Sequence, residues 1–324
     1  TTIDVGGLID WTHDGTVTVN GTVTAVGSFS SGGTGNFTLN NGASLSADGV
    51  ILTHDGTVSI SGMVDSSGLF SSTGDGTFSL TSTGDLMADG AVTIDQGGTV
   101  TLASDVTGAS IDIQSDSNSA NAVLSSGAIT LTATTGDLTV TTLGGINLGT
   151  ATLSAALGNI GLSAVTNTSI ASALAGLDFS STGGGTFDMT DDAGLTAVNA
   201  TINHDGTVTL DENVTLSGHL DSMGTGALTI AAGTVVDGLV TISGDVDAGG
   251  TFESSGAGGF SLTGTGTLDA DGITLGHDGT VTLTGAVTST AAFTSTGVGD
   301  FTIATGGSVL ATDDVDIDHD GSLT

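Results

Sequence analysis

The chain has 324 residues, 55 of them Gly, and carries 35 acidic groups with no Lys, Arg, Pro, Cys or Tyr, a formal charge of -35. Only six histidines could meet phosphate, which excludes nucleic acid as a partner; without Cys there is no disulfide scaffold and no zinc-thiolate site. Disorder fails as a reading because 37% of the residues are hydrophobic, and no apolar run reaches the roughly 18–20 residues of a membrane helix.

The acid is almost all Asp, with Glu212 and Glu253 the two glutamates. Asp, Gly, Asn and Ser form turns, whereas Thr, Val, Ile and Phe suit strands. In chain order the strands after His13 read TVTV, TVTA and SFSS, then NFTL, SLSA and VILT, then TVSI, MVDS and LFSS, then TFSL, DLMA and AVTI. Each group of three four-residue strands, with its turns, takes 20 to 22 residues. The first apolar residue of the group recurs at Val17, Phe37, Val58, Phe78 and Val100. Over 105–178 the turn signature fades, although GAITLTATTGDLTV and GGINLGTATLS keep the strand alternation. The 87 residues from Val100 to Phe187 fit about four repeats. Regularity returns at Phe187, Val208, Leu228, Val240, Phe260, Val281, Phe301 and Leu323, with one short step of 12 from Leu228 to Val240.

A repeat this short cannot bury a core alone and must stack on its neighbours. Three strands per repeat describe one rung of an all-β, three-sided parallel β-helix, a β-solenoid, with each strand pairing to its equivalents above and below. Parallel crossovers make it right-handed. The chain is then one solenoid: regular rungs over 1–104, divergent rungs over 105–178, and regular rungs over 179–324 with an irregularity near 228–240. Fifteen or sixteen rungs at ~4.8 Å each would make a rod of about 70–75 Å. Alternation puts Val17 and Val19 inside and Thr16 and Thr18 outside.

All ten Phe residues fall in pairs eight apart, Phe29 with Phe37, Phe70 with Phe78, Phe179 with Phe187, Phe252 with Phe260 and Phe293 with Phe301. Each pair brackets a corner, and Phe rungs alternate with Val or Ile rungs, a filling pattern for a narrow interior. Five histidines stand in His-Asp-Gly at corners: His13, His54, His204, His277 and His319, with Gln96 in the equivalent place. The motif reads as an Asx-type turn in which Asp accepts backbone N–H bonds and Gly supplies a positive φ. Two rungs apart, successive imidazoles would lie ~9–10 Å from one another, too far to share a metal ion. His219 stands outside the motif. Stacked aspartates without cations call for screening or divalent ions, with calcium the candidate for carboxylate and carbonyl ligands. No residue is singled out as catalytic, cofactor-binding or metal-ligating.

Outward Thr-x-Thr pairs such as Thr16 and Thr18, Thr99 and Thr101, Thr207 and Thr209, and Thr280 and Thr282 raise an ice-binding face. Asn36, Ser59, Ser79, Asp188 and Asp300 interrupt the lattice such a face requires. The denser acidic breaks, Asp191-Asp192, Asp211-Glu212 and Asp313-Asp314, read as turns rather than as glycosidase carboxylates. ITLTATTGDLTV and GGINLGTATLS, with the DGTVTLTG units, resemble the repeats of filamentous-haemagglutinin-type bacterial surface β-solenoids. That resemblance implies a secreted, right-handed parallel β-helix serving as stalk, adhesin or fibre at the cell surface.

The ends read as partial rungs, strands two and three at TIDV and LIDWT, strand one at SLT, complementary in a head-to-tail homopolymer with Trp11 near the junction. The functional expectation is a non-enzymatic extracellular structural subunit of a fibre, sheath or layer, whose partners are its own copies and possible other surface components. The alternatives are an adhesin stalk and, behind it, an ice-binding solenoid.

Overall fold

The computed structural model describes residues 2–210, 214–216, 220–222, 228–230, 234–236, 240–242, 246–264 and 266–324. These contain strands and turns but no helix, and every registered strand pair is parallel. The chain divides into two units, Thr1–Ile170 and Ala171–Thr324. In each, three ladders of short strands run side by side, and the chain visits them in turn. This is a β-solenoid. Among the described residues the sheet that includes Ile9–Thr12, Phe29–Gly33 and Val50–His54 holds fifteen strands, one to a turn, in line with the fifteen or sixteen rungs that repeat length suggests. In the divergent region Ile111 stacks on Leu138, 27 residues on. The surplus lies at the corner between Ile111–Ser115 and Val123–Ser125, where Ser115, Ser117 and Ser119 hydroxyls in succession accept the N–H two residues ahead.

In the first unit the ladders sort residues by size. The first carries Val17, Phe37, Val58, Phe78, Val100, Val123 and Ile146 in register. The second stacks Val23, Leu45, Val64, Leu86, Val106, Leu131 and Leu153, and two residues further along each strand stand Ala25, Ala47, Ser66, Ala88, Gly108, Ala133 and Ala155. The third ladder alternates two kinds of strand. Phe29–Gly33 presents Phe29, Ser31 and Gly33 along its inner face; Val50–His54 above it presents Val50, Leu52 and His54. Phe70–Gly74 and Val92–Gln96 repeat the exchange. A large residue on one rung thus stands over a small one on the next, the pattern that lets a narrow interior fill. Phe29 and Phe37 meet edge to face at 6.1 Å, and the other four pairs do so at 6.0–6.2 Å. All ten Phe rings are buried. Trp11 takes an inward position beside Ser31 and packs edge-on against Phe29 at 5.0 Å.

In the second unit the structure corrects one expected column. Leu228 is followed on its ladder by Val246, Leu268, Val287 and Val309. Val240 stands instead on Leu220, in the ladder that begins with Phe179 and Ala200 and continues through Phe260, Val281 and Phe301. The short step of 12 holds two strands, Leu228–Ile230 and Thr234–Val236, where a full repeat holds three. One strand is missing, so every later strand type sits one face further round. Dropping a whole strand leaves the in-and-out alternation intact, which is why the ladders continue across it.

Candidate functional site

The chemically versatile side chains converge on one corner of the repeat, where the His strand ends. His54, His204 and His277 are each the last residue of a strand, in Val50–His54, Asn199–His204 and Thr267–His277, and are buried. On the rung below, the register residue is a glycine: Gly33 under His54, Gly183 under His204, Gly256 under His277. The imidazole fills the volume the glycine leaves. Its Nδ1 meets the carbonyl oxygen of a turn glycine one rung back, Gly35, Gly185 or Gly258, at 3.2 Å in each case. Its Nε2 meets a buried serine hydroxyl, Ser31 at 3.1 Å, Ser181 at 2.9 Å or Ser254 at 2.9 Å. The ring packs on Phe37 at 5.7 Å, Phe187 at 5.5 Å or Phe260 at 5.9 Å. His319 repeats the set with Gly299, Ser295 and Phe301 but is partly exposed.

A carbonyl oxygen only accepts, so Nδ1 carries the hydrogen, and in a neutral ring Nε2 then accepts from serine. Burial holds all three imidazoles below their ordinary 6.5, outweighing the carbonyl bond and the neighbouring Asp55, Asp205 or Asp278, which act the other way. The charge of His13 adds to the lowering at His54, and that of His319 at His277.

Two parts of the turn reading are therefore corrected. The histidine is an interior rung-to-rung tie rather than a turn residue. The positive-φ glycines among the described residues include Gly33, Gly74 and Gly256, on the rungs between the histidines, and no glycine of a His-Asp-Gly triplet. Gly56 is required for close approach instead: a Cβ there would overlap Asn36 Oδ1 and the Gly35 carbonyl. The spacing is corrected as well. The rings of His13 and His54 lie 5.2 Å apart, because Gly33 on the intervening rung lets them lean together, and both Nε2 atoms reach Ser31 Oγ, at 3.5 and 3.1 Å. Sequence reading missed the serine partners. Their signal was an inward position filled by Ser two residues after Phe29, Phe70, Phe179, Phe252 and Phe293.

The acidic and amide groups tie rungs from outside. Asn36 Oδ1 accepts the N–H of Thr57, Asp105 that of Thr130, Asp137 that of Asn159 and Asp300 that of Ser322, at 2.7–2.8 Å. Asp112 and Asp271 accept hydroxyl bonds from Thr139 and Thr290 at 2.7 and 2.8 Å. Among the described residues no three His, Asp or Glu side chains gather as a metal site. Outward from the first ladder the column reads Thr18, Thr38, Ser59, Ser79, Thr101, Leu124 and Asn147, which is no repeating lattice. His219, Asp211 and Glu212 lie outside the described residues, as do the side chains of Asp191 and Asp192. No family model, curated protein or solved structure matches the chain.

Proposed function

We propose that the chain is a structural β-solenoid segment of a cell-surface fibre, sheath or layer, without catalytic activity. The observation that supports this reading is the use made of the reactive side chains. Buried imidazoles and serine hydroxyls, and several surface carboxylates, bond the rung above or below them and so hold the ladder together. A uniform acidic surface without Lys or Arg suits a bulk extracellular material: it resists collapse onto itself, and counterions, calcium first among them, can bridge its carboxylates. In the assembly we propose, copies of the chain stack their ladders head to tail, with N–H and C=O groups of parallel strand edges pairing across the junction. The resemblance to filamentous-haemagglutinin-type repeats points the same way and makes the adhesin stalk the nearest alternative. Immunogold labelling of intact cells tests the proposal. Label along surface filaments or a surface layer is expected, and label confined to the cell interior would overturn it.

A further inference from the structure

The buried imidazoles answer a question that a structural role leaves open, namely why a polar ring recurs inside a core that Val and Leu could fill. At His54, His204 and His277 both ring nitrogens are engaged, in the neutral form with Nδ1 as donor to Gly35, Gly185 or Gly258 and Nε2 as acceptor from Ser31, Ser181 or Ser254. We infer that these three corners form an acid-sensitive latch, closed when the rings are neutral and loosened when Nε2 takes up a proton. The added proton converts the serine from donor to acceptor, and the serine's own hydrogen must then find a new partner inside the core. It also places a cation in an apolar stack against Phe37, Phe187 or Phe260, where the tilted ring, the glycine carbonyl and the adjacent aspartate compensate less than burial costs.

The surroundings give little relief. The strands stacked on His54, Phe29–Gly33 and Phe70–Gly74, contain no ionisable residue. Asp55 follows on the exposed turn, and His13 faces the ring from two rungs below. His204 has Asp205 beside it, Asp178 at the exposed far end of the strand beneath, and Asp221 on the strand above in register with Thr201. His277 has Asp278 beside it and His319 two rungs above, and Glu253 on the strand beneath points to solvent. Because burial holds the three rings below 6.5, the unfolded chain binds more protons as pH falls through that value. Stability present above 6.5 is lost on acidification, by up to about tenfold in the folding constant per pH unit for each ring and about a thousandfold for three.

The test uses the full chain and the H54Q/H204Q/H277Q variant, glutamine being the residue that already stands at position 96. Unfolding in urea is followed from pH 8 to pH 5. The wild type should lose stability steeply below pH 6.5, while the variant keeps only the shallower slope common to both. Parallel curves would overturn the latch. Should the variant fail to fold, deuterium uptake at the imidazole Cε1 position, read by mass spectrometry on the wild type, decides the matter. The three rings should exchange slowly and titrate below 6.5; titration at or above 6.5 would refute the inference.

Discussion

Replacing Gln96 by His should stabilise the protein. Gln96 stands over Gly74 and under Ser115 on the third ladder of the first unit, the place that His54 takes over Gly33. Its Nε2 donates to Ser72 Oγ at 3.2 Å, matching the Ser31 contact of His54, but its Oε1 is buried with no partner. The nearby turn carbonyl is that of Gly76, which accepts the Gly98 N–H at 2.7 Å. At the equivalent corner of the second unit the Gly258 carbonyl accepts both the Gly279 N–H at 2.9 Å and His277 Nδ1 at 3.2 Å, so one oxygen serves two donors. An imidazole at position 96 would place an N–H where glutamine has an orphaned acceptor. A buried unmade acceptor costs about 1–3 kcal/mol and a new hydrogen bond contributes about 0.5–1.5 kcal/mol. Ser115 above is bulkier than the glycine over His54, which reduces the gain, leaving about 1–2 kcal/mol. Urea unfolding at pH 8, where the ring is neutral, should show a higher midpoint at unchanged slope. An equal or lower midpoint would refute the reasoning, since the orphaned oxygen would then carry no penalty.

Gly74→Ala should destabilise by at least about 2 kcal/mol, because φ is +149° and a Cβ would overlap the His54 carbonyl oxygen, whereas Gly15→Ala, with open space around it, should be near neutral. The comparison of the two in urea separates close approach from glycine content. Phe187→Ala removes a buried ring that packs on both Phe179 and His204 and should cost about 3–5 kcal/mol, read as a lowered thermal midpoint. Raising ionic strength from about 0.01 M to 0.15 M shortens the screening length from about 30 to 8 Å. With a charge of -35 and no fixed cation, the thermal midpoint should rise over that range, and a flat response would show that like-charge repulsion is already relieved.

The ladders were legible in the sequence wherever large and small residues alternate strictly. Val17, Phe37, Val58 and Phe78 announce their stack because Phe cannot stand over Phe in a narrow interior, so the pairing leaves a two-rung signature. The missing strand between Leu228 and Val240 was visible as a short step but not as a change of face. Periodicity reports strand type, and type and ladder part company once a strand is lost. The histidine corner was half legible. The His-Asp-Gly spacing marked the place, yet its surface-like composition suggested a turn, and only the register brings Ser31, Gly33 and Gly35 to the same imidazole. Short-range reading also missed that Gly33 lets His13 and His54 approach, since that contact spans 41 residues of chain.

Electron microscopy of the purified chain, first in calcium and then with a chelator, tests the structural role most directly. The account predicts ordered fibres or sheets built from the chain, weakened when the bridging cations are removed. Monodisperse single particles, indifferent to calcium, would contradict it.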